Sequence, residues 1–204
     1  MSKQVAFITG ATGGIGFEVA KRLGQDGYTV VLNGIEDDQG AARVAELQEL
    51  GIESEYYGFD VTNDVAVTEN VKAIGDKYGK IDVVVNNAGG LGGRSSIEEM
   101  TTEFFRFVMA LNFDSTFFVS RAAIPYLKKS DNASIINYTS NAAWNAGGPG
   151  AGIYDTSKAA VNCFTRALAK ELSPQGIRVN AVSPGTIDTP FHAQIKATKP
   201  VVFA

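Results

Sequence analysis

Short apolar runs alternate with segments of helical period along most of the chain. VAFIT at 5–9 is apolar and ends in glycines, GFEVAKRLGQDG sets Phe17, Val19, Ala20 and Leu23 on one helix face, and VVLN at 30–33 is apolar again. The alternation continues. A helix is expected near 39–50, a strand at YYGFDV (56–61), a helix near 63–78, a strand at DVVVNNAG (82–89) and a helix near 101–111. In the long run FDSTFFVSRAAIPYLKK, Pro125 is expected to bend or shorten the helix. SIINYTS (134–140) reads as a fifth strand, the segment holding Tyr154 as a helix, and IRVNAVSPG (177–185) as a sixth strand. The remaining TIDTPFHAQIKATKPVVFA has no clear period. Strands that alternate with helices predict a parallel sheet. Near-continuous apolar strands such as Val83–Val85 predict that helices cover both faces. The expected fold is α/β, a doubly wound parallel sheet in a single domain over 1–204.

Two stretches carry candidate chemistry. TGATGGIG (9–16) lies between the first strand and the first helix, with Gly10, Gly14 and Gly16 where a backbone must approach a pyrophosphate. A glycine-rich turn alone is often only a tight turn, but this one has the strand-to-helix context a Rossmann-type site requires. The second stretch holds Ser140, Tyr154 and Lys158. Tyr154 and Lys158 stand one helical turn apart, so the ammonium is expected beside the phenol, lowering its pKa and equipping it to exchange a proton with a substrate oxygen. An ordinary solvated Tyr/Lys pair has the same spacing. Ser140 closes an apolar strand before the loop NAAWNAGGPGAGI, where its hydroxyl would meet a carbonyl.

Composition narrows the class. The 204 residues are 45% hydrophobic and 20% charged, and the net charge is −4. With a mean hydropathy of −0.01, this describes an ordinary globular chain. No Lys/Arg block points to nucleic acid or a membrane surface, and no apolar run is long enough to span a bilayer. Cys163 is the only cysteine, which excludes an internal disulfide, and His192 is the only histidine, which gives no metal site. MSKQVAFITG does not resemble a signal peptide, so a cytoplasmic location is expected.

Taken together, the motifs from Val5 to about Pro190 resemble the classical short-chain dehydrogenase/reductase family. TGATGGIG is similar to its cofactor turn, implying contacts from Gly10, Thr12, Gly14, Ile15 and Gly16. Asp60 and Val61 match its adenine contact, and Asn87, Ala88 and Gly89 of NNAG match the stretch that lines the cofactor and steadies the sheet. Pro184, Gly185, Ile187 and Thr189 of SPGTIDT match the loop beside the nicotinamide. The resemblance implies a catalytic set of Asn112, Ser140, Tyr154 and Lys158, with Tyr154 and Lys158 also on the cofactor. In it Tyr154 is the acid in reduction, Ser140 orients the carbonyl, Lys158 holds the ribose, and Asn112 holds a water that resupplies protons. A homotetramer is implied as well. Two features depart from the pattern. Thirteen residues separate Ser140 from Tyr154, one more than in the commonest members, and the chain ends at Ala204 where members continue through another helix and strand, so that strand is expected to be missing.

The cofactor is expected to be NAD(H) or NADP(H). Alignment puts Gly34 at the family's acidic position and Ile35 at its arginine position, so neither determinant is present. Glu36, Asp37 and Asp38 would repel a phosphate and favour NAD(H), while Gly34 leaves room for NADP(H). The loops GGLGGRSS (89–96), WNAGGPGAG (144–152) and GTIDTPFHAQ (185–194) are similar to those of bacterial reductases of the unsaturated-uronate monomer of alginate. On that likeness the substrate is a small sugar-acid carbonyl, with Arg94, Trp144 and His192 as its contacts and Arg94 fitted to a carboxylate. A solvated surface role for Arg94 stands beside that reading. A ketoacyl-carrier-protein reductase and another sugar or polyol dehydrogenase are the alternatives within the class. A non-catalytic nucleotide sensor would have no need of the full set Asn112, Ser140, Tyr154 and Lys158.

Overall fold

The computed structural model describes residues 3–189. Six parallel strands form one sheet: β1 (Val5–Ile8), β2 (Thr29–Gly34), β3 (Ser54–Gly58), β4 (Val83–Asn86), β5 (Ser134–Tyr138) and β6 (Arg178–Val182). Their order is β3-β2-β1-β4-β5-β6, so the chain reverses direction across the sheet between β1 and β4. A crevice opens at the carboxyl ends of the strands at such a point.

Helices cover both faces, as the apolar strands predicted. Phe7, Val31, Val84 and Ile135 pack on one face against α3 (Asp64–Tyr78), α5 (Ser115–Leu127) and α7 (Gly152–Leu172). Ala6, Ile8, Leu32 and Val85 pack on the other against α1 (Gly14–Gln25) and α2 (Asp37–Glu49). β1, β2 and β4 are buried at every position, whereas β6, at the edge, buries only Val179.

Three differences from the expected elements bear on the site. The third strand ends at Gly58, and Phe59 and Val61 enter the core from the connection beyond it. α4 (Thr102–Met109) passes into α5 through a π-helical turn at Ala110–Asp114, while Pro125 sits within the last turn of α5 without ending it. Finally, the loop after β5 contains a short helix, α6 (Ala142–Asn145). Among the described residues no helix is long and apolar enough to cross a membrane.

Candidate active site

The glycine-rich turn is built by close approach. A Cβ at Gly16 would lie 2.4 Å from the carbonyl oxygen of Gly10 and 2.5 Å from the Asn87 amide nitrogen. Gly10 has φ +60°, a left-handed conformation that glycine adopts without penalty. Asn87 fastens the turn to the end of β4, since its Nδ2 donates to the carbonyls of Thr9 and Gly10, both at 3.0 Å. The Thr9 hydroxyl completes the join by accepting the N–H groups of Asn87 and Ala88, both at 3.1 Å. No side chain caps α1, which starts at Gly14, so the positive end of the helix and its first N–H groups point at the crevice. This cradle fits the pyrophosphate of a dinucleotide.

From the turn a cleft of about 640 Å³ runs across the carboxyl ends of β4 and β5. Gly10, Thr12, Gly14, Ile15, Asn87 and Gly89 line one end, Ser140, Tyr154 and Lys158 the other, and Pro184, Gly185, Ile187 and Thr189 flank it. The lining does not include Asp60 or Val61. Asp60 accepts the N–H and hydroxyl of Thr62, both at 2.8 Å, and Val61 is buried in the core.

At the far end the side chains converge from three elements. Ser140 stands two residues beyond β5, where Thr139 N–H donates to Val182 O at 2.8 Å and Asn141 N–H to Pro184 O at 3.0 Å. The Ser140 hydroxyl accepts the Ala142 N–H at 3.2 Å and lies near enough to the Tyr154 phenol to favour its ionised form. Lys158, 4% exposed, donates from Nζ to Tyr138 O at 3.0 Å and lies 5.9 Å from the centre of the Tyr154 ring. Asn112, fully buried in the π-helical turn, accepts the Gly90 N–H (3.0 Å) and donates to Gly90 O (2.8 Å) and Val108 O (2.9 Å). A Cβ at Gly89 would fall 2.7 Å from Asn112 Oδ1 and 2.9 Å from Lys158 Nζ, so both reach the same spot behind the cleft.

The electrostatics correct one expectation. Burial raises the Tyr154 phenol above its ordinary value of 10.0, the Ser140 hydroxyl lowers it less, and the Asp155 charge adds to the rise. Burial likewise pushes Lys158 down to about 8. Spacing does bring ammonium and phenol together, yet desolvation outweighs their proximity and leaves Tyr154 protonated at neutral pH.

The space expected at Gly34 is also filled. A Cβ there would meet Thr12 Cγ2 at 2.5 Å and the Tyr56 hydroxyl at 3.3 Å. Arg43 of α2, which sequence reading passed over, lines the cleft near this end. Its Nε donates to Thr12 O at 3.0 Å and its Nη1 pairs with Glu46 at 2.6 Å. No local spacing signals that contact, because it depends on how α2 crosses the turn.

Of the expected substrate contacts, Arg94 lines the cleft, but its Nη1 donates to the carbonyls of Gly148 (3.1 Å) and Pro149 (2.7 Å). Trp144 is 67% exposed and is not part of the lining. His192 lies outside the described residues. Asp155, which the sequence reading missed although it adjoins Tyr154, lines the cleft.

A doubly wound sheet, an uncapped helix behind a glycine-rich turn and a Ser/Tyr/Lys group at one cleft define a nicotinamide-dependent oxidoreductase. The chain belongs to the short chain dehydrogenase family, whose model matches residues 4–200. It is 39% identical over 195 residues to a 3beta-hydroxysteroid dehydrogenase of Mediterraneibacter gnavus, covering 96% of this chain and 70% of the relative. Among solved structures it is similar to the NADH-dependent reductase A1-R' responsible for alginate metabolism, at 36% identity and a TM-score of 0.88 over 92% of this chain and 78% of that one. It is also similar to an actinorhodin polyketide ketoreductase with NADPH, at 33% identity and a TM-score of 0.90 over 98% and 77%.

Proposed function

We propose that this oxidoreductase reduces a sugar-acid carbonyl, the unsaturated-uronate monomer of alginate, to ketodeoxygluconate. The observation that carries a reductive role is the meeting of Ser140, a protonated Tyr154 and a buried Lys158 at one end of the cleft that the glycine-rich turn opens. The bound cofactor supplies the hydride. Tyr154 donates the proton that the carbonyl oxygen needs as negative charge develops on it, and the Ser140 hydroxyl orients that oxygen. Lys158, which lines the cleft and donates from Nζ to Tyr138 O, would hold the ribose, and Asn112 fixes the backbone at Gly90 beside it. Its place in a π-helical turn lets Nδ2 reach the Val108 carbonyl while Oδ1 accepts the Gly90 N–H.

The alginate reading is supported by the likeness to the alginate-metabolism reductase. The likeness to a polyketide ketoreductase favours a second reading, a ketoacyl reductase. For the cofactor we favour NAD(H). Burial raises the Tyr56 phenol first and the charges of Asp37 and Glu36 add to the rise, so acidic groups stand near Gly34, and Arg43 is already paired with Glu46. A homotetramer in the cytoplasm completes the proposal, in which exposed Phe105 and Phe107 of α4 and Phe117 of α5 supply apolar surface for subunits to cover.

The test follows absorbance at 340 nm with NADH and with NADPH. Substrates are the unsaturated uronate, a neutral sugar ketone and an acetoacetyl thioester. Fastest turnover of the uronate with NADH supports the proposal, and preference for the thioester replaces it with the second reading.

A further inference from the structure

Asp155 follows Tyr154 on α7 and has no part in the chemistry above. It is 9% exposed, and its Oδ2 accepts the Gly147 N–H at 2.7 Å. Oδ1 is buried without a hydrogen-bond partner, an expensive state for a carboxylate oxygen. The segment it grips contains a strained residue. Ala146 sits at φ +53° and ψ 146°, a region a residue with a side chain seldom adopts, so the turn into Gly147 needs outside support.

That support comes from two sides. Arg94 donates to the carbonyls of Gly148 and Pro149, and the Ser95 N–H donates to Gly150 O at 3.1 Å. Asp155 takes the Gly147 N–H, so an anion and a cation hold three consecutive residues of one loop, Gly147 to Pro149. Gly147, Gly148, Arg94 and Asp155 all line the cleft that contains Tyr154.

We propose that Asp155 is a positioning residue that ties the 145–150 loop to the helix carrying Tyr154, and that with Arg94 it makes this loop a fixed wall against the substrate. The inference rests on the reductase reading for its kinetic consequence only. Its structural content stands on the contacts. It also reassigns Arg94, whose Nη1 is engaged by the carbonyls of the wall. The charged and titratable groups that line the cleft with Asp155 are Tyr154 and Lys158 on its own helix, Tyr138 from β5, Arg94 from the loop after β4, and Arg43 from α2. Of these, Tyr154 responds to the Asp155 charge, in the direction that keeps the phenol protonated.

Amide hydrogen exchange of the full chain, resolved to the peptide spanning 145–151, tests the proposal in wild type, Asp155→Ala and Asp155→Asn. The alanine variant is expected to exchange about tenfold faster at this loop, the loss of one hydrogen bond, with little change in the strands. The asparagine variant keeps an acceptor for the Gly147 N–H and is expected to retain most of the protection. In the 340 nm assay the alanine variant raises KM more than it lowers kcat, and asparagine recovers KM. Because asparagine lacks the charge, its Tyr154 phenol titrates lower, read as absorbance at 295 nm after subtraction of the matching Tyr154→Phe protein. Wild-type exchange at the loop in Asp155→Ala overturns the proposal. So does an asparagine variant as loose as alanine, since the acceptor at Gly147 would then not be what holds the loop. If alanine does not fold, asparagine still decides through loop protection and KM, both expected near wild type. A wild type that reduces none of the carbonyl compounds refutes the proposed function, while the exchange data still judge the tie.

Discussion

Replacing Lys158 with methionine is expected to stabilise the chain at neutral pH while abolishing turnover. Burial lowers Lys158 from 10.5 to about 8, so between these values the unfolded chain holds a proton that the folded chain has released. Stability therefore rises with pH through that window, and below about 8 the folded state carries the whole cost of a buried ammonium. At 1.36 kcal/mol per pH unit the cost is about 3 kcal/mol at pH 7, and by pH 10 about 1 kcal/mol remains. Methionine keeps an unbranched apolar stem and removes the charge. Against this stands the hydrogen bond to Tyr138 O, whose loss costs about 1 kcal/mol. The variant should lead wild type by about 2 kcal/mol at pH 7, and the lead should vanish near pH 10. Urea unfolding followed by far-ultraviolet circular dichroism, at pH 7 and pH 10, measures both gaps. A variant less stable than wild type at pH 7, or a gap that does not change with pH, would refute the assignment of Lys158 as a buried charge held for function.

Tyr154→Phe should lower turnover by roughly two to four powers of ten while coenzyme binding, read by fluorescence titration, stays near wild type; near-normal turnover would remove Tyr154 from the proton path. Gly16→Ala places a methyl group 2.4 Å from Gly10 O, so it should cost about 1–3 kcal/mol in unfolding free energy and weaken 5′-AMP binding by calorimetry. Gly34→Asp should not switch coenzyme preference, because its Cβ would strike Thr12 Cγ2 at 2.5 Å. A lower melting temperature and weaker binding of NADH and NADPH alike are expected, with partial recovery on adding Thr12→Ala. A variant with wild-type melting and improved NADH affinity would show that the space beside Gly34 is open.

What the sequence revealed and what it concealed divide along a physical line. β1, β2 and β4 were legible because they are buried on both faces, so each carries three or four apolar residues in a row. The third strand misled because Phe59 and Val61 are apolar for the core they enter, not for a sheet face. The π-helical turn left no trace, since one added residue per turn changes no composition, yet it sets Asn112 facing Gly90. Spacing identified which groups meet at the site but could not supply their charge states. Tyr154 and Lys158 at i and i+4 are neighbours whether solvated or buried, and only the surrounding sheet, loop and helices decide that the phenol keeps its proton while the ammonium loosens its own. Arg94 shows the same limit from the other side. Its position after β4 was readable as the mouth of the cleft, but a guanidinium there can serve a ligand or a backbone, and the carbonyls of Gly148 and Pro149 turn towards it only through a loop conformation that Ala146 and Asp155 set.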